Sequence, residues 1–286
     1  MAETKETDDS GVKVIDDQRG RGKGLVAARN FSRDELICRY SPKFVPLKEI
    51  KDETTETFKH RFDVADGVYF LDKECAGQYA NDAVHPDVIK QLYACRSLDD
   101  VNNWTTVYFA SSLVLIKRNI INARFYDERE GNKRRLYVQA TCDIKAGSDI
   151  FVNYGSDYWT GVLSLDEKAD PIARATAVCW VASKGVFPNL GVINKLPAIL
   201  LFVTGDDGQP AMAMVGPVTS SLDSVGKCVD SLEGASELCA RWLKALGFPK
   251  EDGDALAIWY NLCVKIGTPG VTQAAVKSSP HVQAVG

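Results

Sequence analysis

The sequence predicts an α+β protein. Its first part, residues 12–160, reads as a β-rich fold of small sheets, and its second, 162–286, as a mainly helical domain with a small hairpin. Three observations lead there. Short apolar runs rich in β-branched and aromatic residues recur before residue 160, divided by Gly, Asp and Asn turns. After Gly161 the apolar spacing becomes helical, at Ile172–Ser183, Leu232–Leu246 and Ala255–Ile266. Between these helices, Ala198–Thr204 and Ala211–Val215 flank Gly205-Asp206-Asp207-Gly208, a hairpin signal.

The elements follow in order. Residues 1–11 read as a disordered tail. Gly20–Gly24 is a turn with several positions open to positive φ. Leu25–Phe31 and Leu36–Tyr40 read as strands around Ser32-Arg33-Asp34-Glu35. Pro46–Lys51 reads as a short helix opening on proline. Phe62–Leu71 is strand-like with a break at Asp66-Gly67. Pro86–Ala94 reads as helix, and Val107–Lys117 as β-rich or buried. Asp127–Arg135 reads as a turn between strands Ala123–Tyr126 and Leu136–Thr141. Ile150–Tyr154 reads as a strand, and Gly247 and Gly267 as helix stops. One internal echo is visible: Asn30-Phe31 through Tyr40 resembles Asp143-Ile144 through Tyr154 with one residue inserted. Both read as a strand, a polar turn and a strand ending in tyrosine.

Composition narrows the function classes. The chain has 286 residues, 45% hydrophobic and 25% charged, enough for one large or two modest cored domains. Its net charge of −4 argues against a dominant nucleic-acid surface, which is normally basic. No apolar run reaches the roughly 18 residues of a membrane span, so no membrane partner is expected. The acidic, polar start, Met1–Asp9, reads as neither signal nor transit peptide, so an intracellular protein, nuclear or cytoplasmic, is expected. The eight cysteines form no CxxC or CxC pair and read as reduced, mostly buried thiols, with no metal site.

Three motifs carry candidate chemistry. Arg19-Gly20-Arg21-Gly22-Lys23-Gly24-Leu25 lets backbone approach a ligand closely. It lacks the GK[ST] of a P-loop, and it precedes a strand where a dinucleotide fingerprint opens a helix. Alone it reads as a plain turn. Gln78-Tyr79-Ala80-Asn81-Asp82-Ala83 is, alone, a turn dipeptide in context. Asp143-Ile144-Lys145-Ala146-Gly147, then Ile150–Tyr154 and Gly155, reads alone as a turn and a strand-end tyrosine packed on the core.

In this order and spacing the motifs resemble the SET domain, the lysine methyltransferase fold, over about residues 12–160. The resemblance implies that backbone around Gly22, Lys23 and Gly24 contacts S-adenosylmethionine, with Asn81, Asp82 and Tyr154 also at the cofactor. Asp82 stands where the family usually has histidine, and Ser148-Asp149 where Glu-Glu is common. Asn122-Ala123-Arg124-Phe125 resembles the strand after the Asn-His motif, which implies an insertion at about 86–120. That insertion reads as an extra surface helix and strand, with a substrate-choosing flap as the alternative. Tyr154 matches the family's active-site tyrosine and is the implied catalytic residue.

Val152, two residues earlier, matches a position that influences methylation number, here without a hydroxyl. Tyr158 and Trp159 either close a lysine channel or pack at the domain junction. The implied function is S-adenosylmethionine-dependent protein-lysine N-methylation. The implied partner is a lysine-bearing protein or peptide, histone tails among the candidates. An inactive SET-fold peptide-binding module is the alternative, and a third reading puts the main activity in 162–286.

Overall fold

Short antiparallel ladders build the N-terminal half in the computed structural model. The structure describes residues 11–17, 21–41, 43–46, 61–64, 67–70, 75–130, 133–184, 199–204, 210–215, 240, 243–244, 246–248 and 255–267. These fall into two units. The first takes the described residues within Met1–Ile50, Glu56–Lys90 and Thr106–Ser156, and the second those within Gln91–Thr105 and Asp157–Gly286.

In the first unit, β1 (Val12–Asp16) pairs with β2 (Lys23–Ala27), Val12 opposite Ala27. A turn closed by Asp17 N–H to Gly22 O (2.6 Å) joins them. β3 (Leu36–Ser41) lies beside β9 (Lys133–Ala140), which pairs in turn with β8 (Ala123–Glu130). β4 (Lys43–Pro46), β5 (Arg61–Val64) and β6 (Gly67–Phe70) make another sheet, with β6 in the centre. The expected break at Asp66-Gly67 therefore separates two strands of a hairpin. A 3-10 turn, Ala76–Tyr79, leads into β7 (Asn81–Asp82), which runs parallel to β10 (Phe151–Val152). The inward residues of these ladders, including Leu25, Phe31, Ile37, Val138, Ile150 and Val152, form one apolar cluster.

The internal echo has a structural counterpart. Phe31 and Ile144 form an antiparallel bridge, N–H to O at 2.8 and 2.9 Å. Around it three pairs of contacts are mated. Asn30 Oδ1 accepts the Ala146 N–H (2.8 Å), and Asp143 Oδ1 accepts the Arg33 N–H (2.9 Å). Asp34 N–H reaches Ala140 O, and Gly147 N–H reaches Ala27 O. Ala140 N–H returns to Glu35 O, and Ala27 N–H to Ser148 O. The matching positions Asp34 and Gly147 both have positive φ, 66° and 85°. The two segments are thus capped by each other about a local two-fold.

Two expectations need correction. Val107–Lys117, expected to be β-rich or buried, belongs to a 20-residue helix, Leu98–Lys117 (α2), which follows α1 (Pro86–Leu92). The stretch read as an insertion is therefore a helix pair, without a strand. Its β-branched residues favour a strand locally, but the ends are strongly capped. Ser97 Oγ accepts the Asp100 N–H, and Asp100 Oδ2 accepts those of Ser97 and Arg96. Lys117 lies in the last turn, and Asn119, at φ 55°, stops the helix in the left-handed region. Val107, Phe109, Leu113, Val114 and Ile116 are exposed.

The other correction concerns Asp127–Arg135, expected to be a turn. The β8–β9 ladder runs on to Glu130 opposite Lys133. Charge pairing holds its polar end together: Asp127 accepts from Arg129 (2.8 Å) and Arg134 (3.2 Å) and also receives the Tyr69 hydroxyl. The strand expected over Ile150–Tyr154 is shorter, only Phe151–Val152. Pro46 ends β4, and the rest of the helix expected there lies outside the described residues, as do residues 1–10.

The second unit is mainly helical. α3 spans Ser156–Leu165 and α4 Pro171–Lys184. Asp170 caps α4, its Oδ1 accepting from Ile172 (3.0 Å) and Ala173 (3.1 Å), with proline in the first helical position. Trp180 Nε1–H donates to Asn102 Oδ1 at 3.1 Å. β11 (Ile199–Thr204) and β12 (Pro210–Val215) are the antiparallel hairpin, and α5 spans Ala255–Ile266. Gly247 and Gly267 have φ of 86° and 74°, as helix stops require. Most of Leu232–Leu246 lies outside the described residues. Cys38, Cys95 and Cys179 are buried thiols, and burial with Asp100 nearby pushes Cys95 up to about 11. Among the described residues no helix is long and apolar enough to cross a membrane.

Candidate active site

The site begins at the β1–β2 turn. Gly22 sits at φ 78° with open space where a side chain would stand, a conformation that suits glycine. Arg21 pairs with Asp17 (3.5 Å), donates to Asp82 O (2.5 Å) and lies over the Phe151 ring, 4.8 Å from its centre. The amide of Asn81 donates to Lys23 O at 2.8 Å, tying the turn to β7. A methyl on Gly24 would stand 3.5 Å from Asn81 Nδ2, so a glycine there leaves a gap beside the asparagine.

The parallel β7–β10 pair brings the second and third motifs together, Asn81 opposite Phe151 and Asp82 opposite Val152. Buried Asn122 secures β10 from its other side: its side chain donates to Asp149 O (2.8 Å) and accepts from Phe151 N–H (3.0 Å). Just beyond β10, the Tyr154 hydroxyl donates to Ala80 O at 3.0 Å. Gly155 follows at φ 88°. The structure thus gathers Gly22, Lys23, Gly24, Asn81 and Tyr154 around one short stretch of backbone.

Asp82 is in the same place but turned inward. It is buried, and its carboxylate accepts from Val84 N–H (2.9 Å), Tyr108 O–H (2.5 Å) and Tyr154 N–H (3.3 Å). Its side chain is committed to the protein, and what it offers a ligand is backbone. Val152 is 0% exposed and packs in the apolar cluster against which Tyr154 leans. Tyr158 and Trp159 stand on α3 in the other unit, their rings edge-on at 5.1 Å.

An aromatic wall adjoins Tyr154. Phe125 stacks on its ring at 6.3 Å and 25°, and Tyr40 and Phe62 meet Phe125 at 5.0 and 5.1 Å. Tyr69 continues the wall through Phe44. Burial and the neighbouring Asp127 push Tyr69 ionisation well above the ordinary phenol range, so it stays a donor. An open groove of about 830 Å³ runs along the end of α2 and the 143–149 turn. Arg21, Ala83 and Phe151 line it, but Gly22, Lys23, Gly24, Asn81 and Tyr154 do not.

Sequence reasoning missed Tyr108, Arg21 and the Phe125–Tyr40–Phe62 wall. A signal for Tyr108 was present. Val101, Trp104, Tyr108 and Ser112, all buried, have helical spacing behind the Ser97-Leu98-Asp99-Asp100 start. The aromatic wall has no such signal, because its members come from separate strands.

No curated protein matches the chain significantly. The family model described as the SET domain matches residues 22–155, from the turn glycine to the glycine after Tyr154. With its small sheets and its three motifs in order, this chain carries over residues 22–155 a SET domain, a fold typical of protein-lysine methyltransferases.

Proposed function

We propose that residues 22–155 transfer a methyl group from S-adenosylmethionine to a lysine amine of a protein or peptide. The observation that carries this reading is the Tyr154 hydroxyl on Ala80 O (3.0 Å), next to the Asn81–Lys23 tie (2.8 Å). The fit of the cofactor is supported by the open side of Gly22 and by the gap at Gly24, which a side chain would fill. Gly22, Lys23 and Gly24 would hold it through backbone, with Asn81 and the backbone of Asp82. When bound, it supplies a methyl group on a positively charged sulfur.

The chain's own residues have three tasks. They keep the amine neutral, aim it and exclude water. Lysine in water has a pKa of about 10.4, and only its neutral form attacks. The rings of Phe125, Tyr40 and Phe62 form an apolar surface that penalises the ammonium form by desolvation. The amine proton leaves to solvent. Tyr154 and Ala80 O offer oxygens beside this wall to orient an amine and accept weak C–H contacts. Positioning of this kind is worth roughly 7–11 kcal/mol in well-oriented reactions.

The second reading, a silent peptide-binding module, draws its support from Asp82 in the histidine position. The experiment is methyl transfer from labelled S-adenosylmethionine to a lysine-peptide library including histone tails, with calorimetry in parallel. We expect one saturable cofactor site and turnover that Tyr154→Phe lowers about 100-fold, with cofactor affinity within about twofold. Cofactor binding without transfer to any peptide supports the silent module, and no binding at millimolar cofactor refutes both the enzyme and its site.

A further inference from the structure

Tyr108 lies in the inserted helix, far in sequence from the three motifs, yet its hydroxyl touches two of them. It donates to Asp82 Oδ2 (2.5 Å), lies 2.7 Å from Asn153 Oδ1 and accepts the Gly155 N–H (3.1 Å). Asp82 Oδ2 also accepts the Tyr154 N–H, and Asn153 Oδ1 the Gly155 N–H. The N–H groups on both sides of the Tyr154 carbonyl are therefore held by one network whose centre is the buried Tyr108 hydroxyl. Tyr108 itself is 2% exposed, and the next turn of α2 is fastened to it by Ser112 Oγ on Tyr108 O (3.0 Å).

The geometry points to Tyr108 as a positioning residue: with Asp82 it holds the backbone at 153–155 so that the Tyr154 hydroxyl meets Ala80 O. This rests on the methyltransferase reading. It also links two departures of this chain. Aspartate in the histidine position needs a donor, and the inserted helix supplies one. The carboxylate has no proton to give, whereas a phenol can donate to it and still accept from Gly155. A short contact from O–H to a carboxylate oxygen is among the stronger hydrogen bonds of a protein interior.

The test uses the full chain and two variants, Tyr108→Phe and Asp82→Asn, which break the same contact from either side. Amide hydrogen exchange is read first, because it needs no turnover. In both variants Gly155 and Tyr154 should exchange about tenfold faster, the worth of one lost hydrogen bond, while Phe31 and Ile144 stay within about twofold. Next, kcat should fall about tenfold or more with cofactor KM within about twofold, and the double variant should be no worse than the poorer single one.

Unchanged exchange at Gly155, or unchanged kcat, overturns the proposal. So do additive losses. A loss confined to thermal stability, with kcat per folded molecule intact, overturns it in favour of a structural role. Should Tyr108→Phe not fold, as loss of Phe31 and Ile144 protection would reveal, the Asp82→Asn exchange pattern decides. A wild-type chain that transfers no methyl group sinks the methyltransferase reading, while exchange at Gly155 still reports separately on the network.

Discussion

Gly77→Ala should damage both the fold and the site, and the structure gives the size of the effect. The glycine is buried in the 3-10 turn Ala76–Tyr79. A methyl there would stand 2.7 Å from Arg39 O and 2.7 Å from Tyr40 Cα, both backbone atoms of β3. Ordinary contact begins near 3.4 Å, so the turn must retreat by 3.4 − 2.7 = 0.7 Å. β3 cannot yield instead, because β9 pairs along it. Overpacking of this kind costs about 1–3 kcal/mol. Helix propensity returns at most about 1 kcal/mol, so the clash wins.

The displaced turn ends at Ala80 and Asn81, which hold Tyr154 and the Lys23 carbonyl. A shift near 1 Å can cost roughly 100-fold in rate, so turnover should fall about 10- to 100-fold. Urea unfolding and single-turnover kinetics read the two effects. Gly24→Ala is the contrast: its methyl would meet nothing nearer than 3.5 Å. Its stability should stay within about 0.5 kcal/mol of wild type while cofactor affinity drops. A Gly77→Ala chain as stable as wild type, or less affected than Gly24→Ala, would refute the reasoning.

Two further outcomes follow from the fold. Burial works to raise Asp127, but the Tyr69 hydroxyl and the Arg129 and Arg134 guanidiniums outweigh it and hold the carboxyl below its ordinary 3.8. Its stabilising effect is present above that value and is lost as pH falls through the lower folded value. Asp127→Asn should therefore lower the urea midpoint at pH 7, and the gap to wild type should close as pH falls below the ordinary carboxylate value; a gap independent of pH would contradict this. Asn30→Ala and Asp143→Ala each remove one of two mated caps, so each should cost about 1 kcal/mol in urea unfolding. A cost confined to one of them would show that the local two-fold has no energetic meaning.

Legibility followed the range of each interaction. Turns and helix stops were readable, since the left-handed φ found at Gly22, Gly247 and Gly267 is one that glycine adopts without the steric cost of a side chain. The hairpin at 199–215 and the helix Ala255–Ile266 were readable from spacing alone. The helix Leu98–Lys117 was misread because its β-branched interior favours a strand in a local reading, whereas the Ser97–Asp100 cap and the burial of Val101, Trp104 and Tyr108 favour the helix. The polar stretch after Asp127 was misread because Asp127, Arg129 and Arg134 look like a solvated turn until Tyr69 is brought alongside.

The sequence by itself therefore determined the α+β class and the order of the three motifs, including Tyr154. Only the tertiary structure decided how they serve one another. The Asn81–Lys23 bond joins residues 58 apart, and the Tyr154–Ala80 bond residues 74 apart. It also turned Asp82 inward to a tyrosine 26 residues away, and put Phe125 on Tyr154. The reason is physical: a turn or a cap is set by groups within a few residues. Which distant groups share a buried space depends on the packing of the whole unit, where each polar atom left without water must find a partner.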